Sequence, residues 1–147
     1  MARPKTHRLI HNPPLYNEFK PIGVKGRDLE CLEMNLDEYE ALRLADFEGL
    51  NQEEASEEME ISRSTFARLV ESARKKSSQF LIQGKRLVIG GGPVHFRENL
   101  LQCHDCHRIF AVRMDETLHA CHACGSTNLI DLAGSFGHGR CCHENES

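Results

Sequence analysis

Residues 50–68 of the chain read LNQEEASEEMEISRSTFAR. This stretch predicts two short helices joined by a tight turn, because a capping residue opens each helix. Asn51 is followed three residues later by Glu54, which is the capping-box pattern, and Ser62 can cap the second helix. The second helix begins polar and continues basic. Two helices arranged in this way are typical of a helix-turn-helix, which reads the major groove of DNA.

The segments on either side extend this prediction. Asn35 and Glu38 repeat the capping-box pattern ahead of a third apolar stripe. Gly84 follows the last stripe and can end a helix with a left-handed residue. The glycine run 90–92 marks the best domain boundary. The predicted elements are helices over 36–47, 52–59 and 63–83 and a short strand over 86–89.

Charge is strongly segregated although the whole chain carries only −4. Residues 30–60 contain twelve acids and one Arg, whereas residues 61–86 contain seven Lys/Arg and one acid. Residues 1–29 are also basic, and their prolines and glycines predict an irregular arm. A basic face on an otherwise acidic chain is compatible with nucleic-acid binding, although charge runs are also common as solvated surface.

The predicted DNA contacts lie on the third helix and in the arm. Arg68 faces away from the apolar stripe and is the best candidate for a bidentate contact with guanine. The acids of the predicted helix over 52–59 have to point away from the phosphates for this hypothesis to hold. The candidate residues are Arg63, Ser64, Thr65, Arg68, Arg74, Lys75 and Lys76 on the helix, and Arg3, Lys5 and Arg8 in the arm. The alternative is a small helical bundle that binds protein.

Two family resemblances support the DNA-binding hypothesis. Residues 36–56 and 61–69 resemble the helix-turn-helix of sigma-factor region 4, which implies duplex binding by the last helix and adds RNA polymerase as a candidate partner. Residues 1–92 resemble uncharacterised protein family 0251 (domain of unknown function 134). The motifs that carry this second resemblance are Arg3-Pro4, Phe19-Lys20-Pro21, residues 41–46 and residues 62–66.

Six of the seven cysteines follow residue 102. Two Cys-x-x-Cys pairs, Cys103 with Cys106 and Cys121 with Cys124, predict a tetrahedral four-sulfur site in a zinc ribbon. Gly125 follows the second pair, where such a turn often needs a positive φ. The predicted ribbon is a tight pair of strands over 108–112 and 128–132. Zinc is the expected metal, and iron is the alternative because four thiolates accept either.

Other metal chemistries fit the sequence less well. Residues 103–107 match a c-type haem motif, but no export signal precedes them and a second Cys pair answers the first. Residues 121–129 are similar to the zinc loop of hydrogenase nickel-maturation proteins. Those bind nickel through a histidine after the initiating methionine, where this chain has Ala2. A second metal site in the tail is a further hypothesis, with the ligands His138, Cys141, Cys142 and His143.

These features predict a mainly α fold, a three-helix helix-turn-helix domain followed by a small β zinc ribbon. No membrane-spanning run, signal peptide or catalytic constellation is evident, so we expect a cytoplasmic protein that is not an enzyme. The hypothesis is a sequence-specific transcriptional regulator that binds double-stranded DNA, with a homodimer allowed. The alternative is a metal-handling or redox-sensing adaptor. The predicted domains are an arm (1–29), the helix-turn-helix domain (30–92), the ribbon (93–133) and a flexible Cys/His tail (134–147).

Overall fold

The computed structural model describes residues 8–138 and residue 142. The chain forms two compact units. The first contains Tyr16–Val94 and the described residues up to Leu9, and the second contains Ile10–Leu15 and the described residues from His95 onward. The domain bounds expected from the sequence, including the arm and the tail, stay predictions.

Three of the four α-helices found in the described residues belong to the first unit. Local capping chemistry sets their ends. The Asn35 N–H donates to Glu38 at 2.9 Å, the Glu54 N–H donates to Asn51 at 2.8 Å, and the Thr65 N–H donates to Ser62 at 3.2 Å. Gly84 ends the long helix with φ 66°. The helices are α1 (Leu36–Leu42), which continues as a π-helical turn over Arg43–Phe47, α2 (Gln52–Met59), α3 (Arg63–Gln83) and α4 (Leu132–Ser135).

The turn between α2 and α3 is short because one residue adopts a left-handed conformation. Glu60 has φ 56° and ψ 46°, in a region that side-chain-bearing residues rarely occupy. The Ile61 N–H donates back to the Ser56 carbonyl at 3.0 Å and closes the turn. The helix bounds predicted for residues 52–59 and 63–83 are confirmed, and so is the tight turn that joins them.

The core of the first unit lies where α1, α2 and α3 meet. Ala55, Met59 and Phe66 are at most 1% exposed. Helical spacing places these side chains on the facing sides of α2 and α3, as the apolar stripes predict. Four partly buried side chains cover the edge of this cluster, namely Ala45, Leu50, Ile61 and Leu69. The buried members of the cluster are Ala41, Leu44, Ala55, Met59, Phe66 and Val70.

Strands occur in both units, in three sheets of the described part of the chain. They are β1 (Arg8–Ile10), β2 (Glu18–Phe19), β3 (Cys31–Met34), β4 (Arg86–Ile89), β5 (Val94–Phe96), β6 (Glu98–Cys103), β7 (Ile109–Arg113) and β8 (Leu129–Asp131). In the first unit the sheet order is β2-β4-β3, with β3 parallel and β2 antiparallel to β4. In the second, β6 lies between β7 and β8, and both pairings are antiparallel. A two-stranded sheet joins β1 to β5.

The predicted fold class is therefore wrong. Residues 8–138 form a mixture of helices and three sheets, not a mainly α protein with a three-helix domain. The sequence missed β3 because this strand is four residues long, too short for alternation to stand out. The ribbon also has three strands where two were expected, since β6 pairs with both of the others. No helix in the described residues is long and apolar enough to cross a membrane.

Candidate functional site

The two Cys-x-x-Cys pairs form two turns of the same shape. Cys103 ends β6, and its carbonyl accepts a hydrogen bond from the His107 N–H at 2.9 Å. The Cys121 carbonyl accepts in the same way from the Gly125 N–H, also at 2.9 Å. His107 and Gly125 have φ values of 66° and 77°. Each turn thus folds back just after its second cysteine, and the positive φ predicted for Gly125 is confirmed.

The four sulfur atoms are close enough to bind a single metal ion. The Sγ atoms of Cys103 and Cys124 lie 3.6 Å apart, as do those of Cys106 and Cys121, and all four lie within 4.8 Å of one another. Tetrahedral ligation with Zn–S bonds of about 2.3 Å would separate the sulfurs by about 3.8 Å. The cluster therefore has the dimensions of a tetrahedral four-sulfur site, and the structure brings together all four metal ligands predicted from the sequence.

The electrostatics of the cluster favour a bound cation. Burial raises the pKa of Cys121, but the N–H groups of Cys124 and Ala123 outweigh it and bring that pKa down to about 6. The backbone N–H of Ser126 lowers the pKa of Cys124. The contact of Cys124 with the Cys103 thiol, its burial and the other neighbouring thiols outweigh this effect and raise the pKa of Cys124 to about 12. Neighbouring thiols thus resist becoming thiolates together unless a positive charge offsets their repulsion.

Several predicted DNA contacts are exposed along α3, from its first turn to just beyond its middle. Arg63, Ser64, Arg68 and Lys75 are exposed, and Thr65 is half-buried. Within residues 8–138 and 142, no carboxylate lies at ion-pair distance from Arg63, Arg68 or Lys75. These cations are therefore available to a ligand outside the chain. The acids Glu53, Glu54, Glu57 and Glu58 on α2 are exposed as well.

Three other predicted DNA contacts are held in ion pairs that the sequence did not reveal. Arg74 makes two hydrogen bonds to Asp46, at 2.9 and 2.7 Å. Lys76 lies 2.7 Å from Glu38, and Arg8 lies 2.7 Å from Asp37. A DNA phosphate would have to compete with these carboxylates. Two further candidates, Arg3 and Lys5, lie outside the described residues.

Glu38 is the centre of this charged region. Its side chain accepts from the Asn35 N–H, from Ser72 and from Lys76, so it caps α1 and binds α3 at once. Burial raises the pKa of Glu38, but Lys76, Ser72 and Asn35 together lower it below its usual value. Glu38, Ser72 and Lys76 also line a pocket of about 340 Å³ that Arg68 borders. Lys76 therefore acts chiefly as an internal counter-ion.

The structure also gathers a second group of metal-binding side chains. His138 and Cys142, both candidates from the sequence, lie together with His95 of β5. His95 was missed, because a single histidine between Val94 and Phe96 gives no metal-binding spacing. The other two tail candidates, Cys141 and His143, lie outside the described residues.

Comparison with known proteins places the chain in a family. The family model for the protein of unknown function DUF134 matches residues 1–97. A UPF0251 protein of Clostridium novyi is 38% identical over 98% of both chains, and one of Chloroherpeton thalassium is 42% identical over 95% of both. No solved structure matches the chain. The chain therefore belongs to the uncharacterised UPF0251 (DUF134) family, as its sequence motifs predict.

Proposed function

We propose that this protein binds double-stranded DNA with α3 and regulates transcription in the cytoplasm without being an enzyme. The observation that carries the proposal is the set of exposed cations on α3, Arg63, Arg68 and Lys75, with no carboxylate partner among the described residues. They follow a tight turn after α2, so that α2 and α3 would serve as the two helices of a helix-turn-helix. Contacts with RNA polymerase and homodimer formation stay predictions.

The beginning of α3 is suited to base contacts. In a helix-turn-helix the N-terminal residues of the second helix reach the base edges, and the first helix crosses the backbone. Arg63 and Ser64 are exposed in this first turn, and Arg68 follows one turn later. The opposite side of α3 packs through Phe66 and Val70 into the core. A rigid helix with one anchored side and one cationic side can thus enter a groove without rearrangement.

We further propose that the four cysteines hold zinc in a structural site. Four thiolates complete a tetrahedral shell and leave no position for a reacting water. The expected role is to fold the ribbon and not to perform catalysis. Metal analysis of protein purified without added metal tests this proposal. Zinc that is lost when Cys103 is replaced with Ser supports it, and iron in place of zinc contradicts the choice of metal.

Fluorescence anisotropy with mixed genomic DNA fragments tests the DNA proposal. Affinity should fall steeply with salt, because cations that bind phosphates release counterions. Replacing Arg68 with Ala should weaken binding to a selected DNA site by about 1–3 kcal/mol. Arg113→Ala, which removes an equal charge from β7 in the ribbon, should leave affinity unchanged.

A second comparison lies within α3 itself. Arg74→Ala should weaken DNA binding less than Arg68→Ala, because Arg74 is already bound to Asp46. Equal affinity of the unchanged protein and the Arg68 variant would remove Arg68 from the interface. Failure to bind DNA at any salt concentration, together with rapid transfer of metal to an acceptor, would favour the adaptor function instead.

A further inference from the structure

A compact group in the second unit consists of His95, His138 and Cys142. It shares no residue with the four-cysteine cluster. The Cys142 thiol is 1% exposed and His95 is 9% exposed. The Cys142 Sγ lies 3.4 Å from His138 Nδ1 and 3.7 Å from His95 Nδ1. All three potential ligand atoms lie within 4.8 Å of one another. Two imidazole nitrogens therefore converge on one sulfur at a buried position.

These distances fit a metal centre. A tetrahedral zinc ion with a Zn–S bond of about 2.3 Å and a Zn–N bond of about 2.0–2.1 Å separates sulfur from nitrogen by about 3.5 Å. The observed separations lie on either side of that value.

Surrounding contacts fix the three side chains in this arrangement. The Phe96 N–H donates to the Cys142 sulfur at 3.2 Å, a contact that stabilises a thiolate. The ring of Phe96 lies edge-on to His138, with centroids 4.9 Å apart. The His138 backbone N–H donates to the Ala133 carbonyl at 2.9 Å, which ties His138 to α4. These contacts with β5 and α4 hold the ligand atoms in place.

We propose that His95, His138 and Cys142 bind a second zinc ion. Two imidazoles and one thiolate are ligands that zinc accepts readily, and ions of similar preference such as cobalt fit the same donors. Among the described residues three side chains supply the ligands, and one more ligand would complete a tetrahedral shell. This site differs from the four-cysteine site in its ligands, which combine imidazole nitrogen with sulfur. The proposal does not depend on DNA binding.

Metal titration of the full chain tests the proposal. The unchanged protein should bind two zinc ions per chain, and His95→Ala and Cys142→Ser should each bind one. The matched controls are His119→Ala and Cys31→Ser, which replace exposed residues of the same types and should still bind two. Cys103→Ser should lose the ion of the four-cysteine site and keep the ion of the His95 site. The titration therefore shows which of the two sites fails to bind zinc.

Cobalt substitution gives a second measurement that does not require the variants to be equally stable. Cobalt added to protein whose four-cysteine site already holds zinc should produce a thiolate-to-cobalt absorption band, and the conservative change His95→Gln should weaken or shift it. One zinc ion per chain in the unchanged protein, or two ions in His95→Ala, would overturn the proposal. The latter result would place any second ion on other ligands.

Discussion

The helical core and the cysteine turns are stabilised by different physical means. Around α1, α2 and α3, six buried apolar side chains pack against one another. Between residues 104 and 128, by contrast, only Val112 and Cys121 are buried. Burial of apolar surface can stabilise the first region, whereas the second has too little of it. Packing therefore accounts for the helical core, whereas the cysteine turns bury too little apolar surface to be stabilised in the same way.

The largest effect should come from removing a metal ligand. Cys121→Ser should unfold residues 104–128, because a structural zinc ion supplies about 10–16 kcal/mol of apparent binding free energy in small zinc domains. Hydrogen exchange measured by mass spectrometry should show rapid exchange in the cysteine turns and continued protection of α3. The control Cys31→Ser should behave like the unchanged protein. Retained protection at Gly125 in the Cys121 variant would show that packing suffices there.

A substitution in the helical core should destabilise only the first unit. Phe66 is 1% exposed at the centre of the helical core. Phe66→Ala should lower the free energy of unfolding of the first unit by about 3–5 kcal/mol, through lost burial and a cavity. Urea denaturation followed by circular dichroism measures this loss, and metal content should stay unchanged. A loss of metal in this variant would contradict the division between the two regions.

A smaller effect concerns the ion pair that joins α1 to α3. Lys76→Met leaves the buried Glu38 carboxylate without its cation, and should cost about 1–3 kcal/mol at neutral pH. Because the folded-state pKa of Glu38 is lowered, its contribution is complete above the unfolded value of 4.5 and is lost as pH falls through the folded value. Without Lys76 that pKa rises, so acid unfolding should begin at a higher pH.

Acid titration followed by circular dichroism measures the midpoint for Lys76→Met and for its control Lys75→Met. Lys75 is exposed on the same helix and has no carboxylate at ion-pair distance in the described part of the chain. The control should therefore titrate like the unchanged protein. Identical midpoints for both variants would show that Lys76 does not hold the Glu38 carboxylate in its charged form.

Features set by nearby residues were predictable from the sequence, and features set by distant residues were not. Asn51 with Glu54, Ser62 and Gly84 mark helix ends because capping acts over three or four residues. The spacing of the cysteine pairs likewise predicts their convergence. The pairing of β3 with β4, the ion pair of Lys76 with Glu38 and the place of His95 all depend on residues far apart in the chain. Local sequence patterns do not indicate which distant residues come into contact.

The parallel pairing of β3 with β4 has a consequence for how the protein is made. Leu32 lies opposite Leu87 and Met34 opposite Ile89, so the two ends of a long loop meet side by side and α1, α2 and α3 lie between them in the chain. Closing such a loop costs entropy before its contacts form, which slows folding. During synthesis, β3 therefore cannot pair with β4 until the ribosome has also translated α1, α2, α3 and β4.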